Sequence, residues 1–248
     1  ASGADLLRVA AERVQFVQAN LDRASLESAN VREADFSGAT MGKASFRNAK
    51  AGQAVFSEVR GESAAFDDAD ISGATFAGAS LPDLSCVAAR AVRSNWERAE
   101  LDRACFDRAE LSQATLVRAS LEVASFLAAD LAKADLSNVS GDGADFSNAN
   151  LSGADLRMSK LSDARFTNAN LVESNGQKLL ATGARMDGAD LSRASFRGAR
   201  MKSCQLSSAN LDGTDLRDAD LEGSKLDGVD TSKAKLAGAN MRGVEGAS

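Results

Sequence analysis

A period of five residues runs through this chain without a slip, and five suits neither a regular helix nor a flat strand. From Ala4 onward, every position whose number ends in 4 or 9 is a small slot, and every position ending in 1 or 6 is a large apolar slot. Ala fills 35 of the 49 small slots and large apolar residues fill 39 of the 49 large ones, so the frame belongs to the whole chain and not to one part of it. On a helix the apolar slot would rotate by about 500° per repeat and spread over every side. On a strict strand an odd repeat sends successive apolar residues to opposite faces. The conflict resolves if each pentad is a short extended segment closed by a bend. Small and large slots, two residues apart, then point inward together, and the glycines at 38, 73, 78, 153, 183 and 188 fall where the chain must turn.

The pentads Ala19-Asn20-Leu21, Ala34-Asp35-Phe36, Ala169-Asn170-Leu171 and Ala219-Asp220-Leu221 carry the pattern Ala-(Asp/Asn)-Leu-x-x. In tandem it resembles the pentapeptide-repeat family, and the resemblance covers essentially the whole chain. It implies an all-β fold: a right-handed quadrilateral parallel β-helix, a β-solenoid with four pentapeptides per coil. About twelve such coils, stacked at a strand spacing of ~4.8 Å, would make a rod roughly 58 Å long. Residues twenty apart should then stack in columns. One column reads Phe16, Phe36, Phe56, Phe76, Trp96 and then turns to Leu116, Leu136 and Leu156. The next begins Ala11, Val31, Ala51, Ile71, Ala91 and then fills with Leu111, Leu131 and Leu151, while a third carries Phe106, Phe126, Phe146 and Phe166. Bulk on one side is matched by smallness on the adjacent side, as a close-packed interior requires. This order supports four sides independently of the family.

An unbroken repeat makes residues 1–248 a single solenoid domain, each unit stacking on its neighbours. Residues 1–18 are the least regular and are expected to form an irregular first coil or a cap. The chain starts at Ala1 without Met, shows neither a signal peptide nor an apolar run long enough for a membrane span, and reads as a fragment of a longer protein. No membrane insertion is expected. The compartment is left open between the cytoplasm and secretion by a signal-independent route. An end without a cap leaves room for end-to-end self-association. Two stretches loosen, 81–96 and 172–183, and Gly61, Gly141 and Gly176 stand in large slots, where cavities or local narrowing of the backbone are expected.

The chain has no His, so the commonest general base and metal ligand is missing. Three cysteines at unrelated slots make neither a disulfide framework nor a metal motif. Asp35, Asp135, Asp145, Asp155 and Asp220 recur just before a large residue, where a short carboxylate can hold nearby backbone. A rod without long loops has no concave site to offer. No catalytic residue, metal or cofactor is expected, and the chain is read as no enzyme.

Binding is the remaining class. Some members of the family resemble DNA in shape and charge and bind type II topoisomerases, a role that needs a strongly acidic face. Here the largest acidic surplus on any of four sides is three charges, with bases such as Arg118, Arg165 and Arg217 interrupting every side. A gyrase-binding, quinolone-resistance type of protein is therefore the alternative reading. Direct nucleic-acid binding is not expected either, for want of a basic face with interleaved aromatics. Apolar residues in outward slots offer the better lead: Val87, Val92, Val117, Val123 and Leu127, with Cys105 among them, form a candidate protein-contact region. The expected function is a rigid structural spacer or protein–protein interaction module, of the kind carried by bacterial effector, adaptor or secretion-associated proteins. Its partner would be another protein or flanking domains of the same chain.

Overall fold

The structure, a computed structural model, describes residues 2–247. Its regularity comes from backbone bonds repeated every five residues. Leu26 N donates to Ser45 O (2.7 Å), Ser28 N to Arg47 O (2.8 Å), and Ser45 N returns to Ala24 O (2.9 Å). Parallel bridges accordingly join residues at outward mid-segment positions to residues twenty further on, from Asp5↔Ser25 to Asp220↔Asn240. The chain is a parallel β-helix with twenty residues to a coil. Residues 2–18 follow the same bonding as the rest. The longest paired run comes last, where β1 (Lys225–Val229) lies parallel to β2 (Glu245–Ala247).

Nearly every pentad closes on a turn in which the small residue's N–H returns to the carbonyl of the large residue, as Ala29 N does to Leu26 O (3.1 Å), while Cys204 N turns to Ser224 Oγ instead. The third residue of that turn has positive φ at every position ending in 3 or 8 from Gly3 to Gly243 except Lys233, which marks type II geometry. Glycine adopts it freely, but most of these positions hold other residues, including Arg118 (φ 59°) and Lys133 (φ 58°), so the fold tolerates a small strain at most of its corners. The second turn residue is the one whose N–H has no backbone acceptor among the described residues. Aspartate or asparagine just before the large residue supplies the acceptor: Asp35 Oδ1 takes Ser37 N (2.8 Å) and Asp135 Oδ1 takes Ser137 N (2.9 Å). The repeat's second letter thus has a structural cause. Pro82 occupies this same second position, where a missing N–H costs nothing.

Stacked rings set the rise. Phe36 and Phe56 lie 4.7 Å apart and 3° from parallel, and the stack continues to Phe76 and Trp96. Phe106, Phe126, Phe146 and Phe166 form the second stack at 5.0–5.1 Å. Phe46 and Phe66 belong to this same column, below Cys86, and meet the first stack edge-on, with Phe46–Phe56 at 88°. The rings of the two columns meet across the interior there, with small residues such as Ala51 and Gly61 in slots between them. Each ring is fully buried, contributing on the order of 2–3 kcal/mol.

The loosened stretches are compensated. Ser94 replaces Ala where Trp96 replaces Phe; the indole Nε1–H donates to Ser94 Oγ (2.6 Å), which donates to Ala91 O (2.7 Å). At Gly61 the backbone narrows, since a Cβ would lie 2.5 Å from the Met41 carbonyl carbon. At Gly176 the ring of Phe196 fills the vacated volume, 2.5 Å from where a Cβ would sit, and Leu179 is buried beside it. A neighbour's bulk, and not a cavity, answers that missing side chain.

Candidate protein-contact surface

The outer residues work chiefly for the coil itself. Acids and bases pair one coil apart: Arg13 with Glu33 (2.8 Å), Asp83 with Arg103 (2.7 Å), Asp145 with Arg165 (3.0 Å), Glu173 with Arg193 (3.0 Å), Lys202 with Glu222 (2.8 Å). Such exposed pairs add little stability individually. Their effect is to cancel charge along the columns, so no continuous acidic stripe forms. Within one pentad, hydrogen bonds from the Arg217 guanidinium pull the Asp215 carboxyl down to about 2, against a lesser opposing push from burial. Among the described residues no group of three or more Cys, Asp or Glu side chains could hold a metal. The surface depressions are open and polar, such as the one bordered by Glu12, Asn30, Arg32 and Lys50. No helix among the described residues is long and apolar enough to cross a membrane.

Of the six candidate contact residues, the structure brings four onto one side. Bridges Ser85↔Cys105 and Cys105↔Ser125 set Cys105 in its middle. Val123 lies on the turn 121–124 that enters segment 124–126, Leu127 on the turn 126–129 that leaves it, and Val87 on the corresponding turn 86–89 two coils earlier. Val92 belongs to the turn 91–94 and Val117 to the turn 116–119, each on another corner. Val123 is 65% exposed and Leu127 40%, whereas Val87, Val92, Cys105 and Val117 are half-buried. The Cys105 thiol is pushed up by burial, and Cys86 and Cys204 are fully buried, Cys204 being raised to about 12 by burial.

Two features of this side escaped the pattern of apolar letters. Val123 has φ +58° and is the one β-branched residue among the described positive-φ positions. Arg108 stands on the Val87–Leu127 corner, twenty residues from Ala88 below and Ala128 above, and its guanidinium makes no side-chain hydrogen bond or ion pair among the described residues. The second is legible in the twenty-residue column Ala88, Arg108, Ala128, where neither neighbour carries a charge. The first follows from the turn geometry at residues ending in 3. Met158, 53% exposed, is a further apolar residue at a turn, on a different corner.

A β-helix whose polar groups are spent on its own coils, and whose exterior offers surfaces without clefts, defines a class of repeat proteins. Two family models match: "Pentapeptide repeat region" over residues 89–166, and "Pentapeptide repeats (8 copies)" over 4–42, 41–78, 159–198, 181–213 and 204–243. The chain belongs to the pentapeptide-repeat family. Among solved structures it is similar to trypsin-treated QnrB1, a plasmid-mediated fluoroquinolone resistance protein, at 17% identity over 81% of this chain and 88% of that one, with a TM-score of 0.47. It is also similar to HetL, a pentapeptide repeat protein involved in heterocyst differentiation regulation in the cyanobacterium Nostoc, at 27% identity over 95% and 89% of the two chains, with a TM-score of 0.24. A pentapeptide repeat protein of the Arabidopsis thaliana thylakoid lumen shares 32% identity over 42% of this chain and 65% of that one, with a TM-score of 0.22. No curated protein matches the chain.

Proposed function

We propose that the chain is a non-catalytic solenoid serving as a rigid structural spacer and protein-binding surface, a single domain within a longer bacterial polypeptide. Its shape on this reading is a right-handed, four-sided rod of about twelve coils, which the twenty-residue bridges and the turn at every fifth residue support. The observation that carries the functional reading is the absence of any loop between turns among the described residues. Every pentad closes directly into the next, so side chains of distant segments are never gathered round a recess where a substrate could be held. Flanking domains of the same chain or another protein would then be the partners.

The competing role is binding to a type II topoisomerase as a mimic of DNA. Coil-to-coil pairing of acids with bases speaks against it, because the mimic needs a surface of uncompensated negative charge. A supercoiling assay with DNA gyrase separates the two. The spacer reading predicts unchanged supercoiling at stoichiometric protein, with and without a quinolone; inhibition or protection at that ratio overturns it.

A further inference from the structure

Val123 combines two unfavourable choices. A β-branched residue at φ +58° is an outlier among backbone conformations, and 65% exposure leaves its methyl groups in water. The coil gains nothing from either, since glycine serves this same turn position at Gly143 directly above, one coil on. Gly143 also leaves Val123 uncovered: even an added Cβ would only reach 3.9 Å from Val123 Cγ2. Strain held at an exposed apolar residue points to a role outside the fold.

What surrounds Val123 narrows the role. Across segment 124–126, Leu127 stands 40% exposed, with half-buried Cys105 on the ladder one coil below and Val87 on Leu127's corner two coils below, about 10 Å away. Most acids bordering this area already have partners, Asp68 two coils below Arg108 being the exception. Asp107 Oδ1 accepts Leu127 N and Ser125 Oγ, Asp67 Oδ1 accepts Val87 N and Ser85 Oγ, Asp83 holds Arg103, and Asp145 holds Arg165. Arg108 is the basic group here with no side-chain partner among the described residues, and alanines above and below leave its guanidinium open to approach. Arginine is among the residues that carry most of the binding energy at interfaces, and the exposed aliphatics beside it supply apolar area to exclude water around it.

We propose that this side docks a polypeptide segment presenting a large apolar side chain to Val123 and Leu127 and a carboxylate to Arg108. Planar guanidinium and carboxylate pair in two parallel hydrogen bonds, and apolar surroundings strengthen such a pair. A polyanion such as nucleic acid fits less well, because Asp67, Asp83, Asp107 and Asp145 line the same area. The proposal rests on the protein-binding reading above and gives it a place and a partner chemistry.

The test is selection from an unbiased random peptide library on the immobilised full chain, followed by affinity measurement of the enriched peptides on Val123→Gly, Leu127→Lys and Arg108→Glu. Enriched sequences are expected to pair Leu, Ile or Phe with Asp or Glu. Leu127→Lys should weaken them at least ~tenfold, and Arg108→Glu should transfer preference to Lys- or Arg-bearing counterparts. Val123→Gly should lose affinity while its melting temperature rises, a combination that no folding defect can produce. Peptides that bind all three variants as tightly as the wild type overturn this site and leave the protein-binding reading standing. Failure to enrich any peptide overturns both. Self-association of the wild type by light scattering, removed by Leu127→Lys, would assign the side to a second copy and likewise overturn the acidic-segment assignment.

Discussion

Replacing Ser94 by Ala restores the commonest small-slot residue yet is predicted to destabilise the rod. Trp96 is fully buried, and its Nε1–H has one acceptor, Ser94 Oγ at 2.6 Å. Alanine leaves that donor dry and unpaired, a loss of about 1–3 kcal/mol. The companion change Trp96→Phe removes the donor and continues the stack of Phe36, Phe56 and Phe76 upward, although the smaller ring leaves some volume empty. The double variant carries an Ala-Asn-Phe pentad, so Ser94→Ala should be far milder on the Trp96→Phe background than on the wild type. A double-mutant cycle in urea, followed by far-ultraviolet circular dichroism, should return a coupling of about 1–3 kcal/mol. Because the chain has one Trp, its fluorescence independently reports local exposure at this coil in the Ser94→Ala single variant. Additive effects, or a Ser94→Ala variant as stable as wild type, would refute the claim that the serine is there to satisfy the indole.

Ser174 presents the opposite case: its buried Oγ has no partner among the described residues, so Ser174→Ala is expected to raise stability by about 1 kcal/mol in the same urea titration. Asp215 titrates near 2 when folded against 3.8 ordinarily, so its contribution is fully present above pH 4 and is lost as the pH falls toward 2. With Arg217 45% exposed and screened by water, that contribution is of order 1 kcal/mol, and Arg217→Ala should flatten this part of the stability–pH curve. Iodoacetamide at neutral pH should modify Cys105 in the native protein and spare Cys86 and Cys204 until denaturant is added, read by mass spectrometry of the labelled peptides. Early native labelling of Cys204 would contradict the closed interior.

Much of the fold was legible because the inner slots obey one volume rule at two periods. Phe36 and Phe56 reveal their stacking in the sequence simply by being twenty apart, and Asp35 and Asp135 reveal their backbone role by always preceding a large residue. Other features needed coordinates because they involve compensation between unlike residues. Ser94 beside Trp96 reads as two departures from the pattern until the hydrogen bond joins them, and Gly176 reads as a hole until Phe196 is seen to fill it. The candidate surface was half legible: apolar letters picked out Val87, Cys105, Val123 and Leu127, but also Val92 and Val117, which lie on other corners. Telling them apart requires knowing that outer slots on either flank of one segment share a side. Arg108 carried no apolar signal, and its lack of a partner is a property of what stacks above and below it.

Each twenty residues advance the chain by one coil along a stiff rod. Spin labels on a Cys105→Ser background, placed at residues 50 and 150 and then at 50 and 210, test this by double electron–electron resonance, since all three positions lie in one bridge column. The predicted backbone separations are about 24 Å and about 38 Å, five and eight coils at ~4.8 Å each, with narrow distributions. Separations that fail to grow in that ratio, or distributions spread over tens of ångströms, would contradict it.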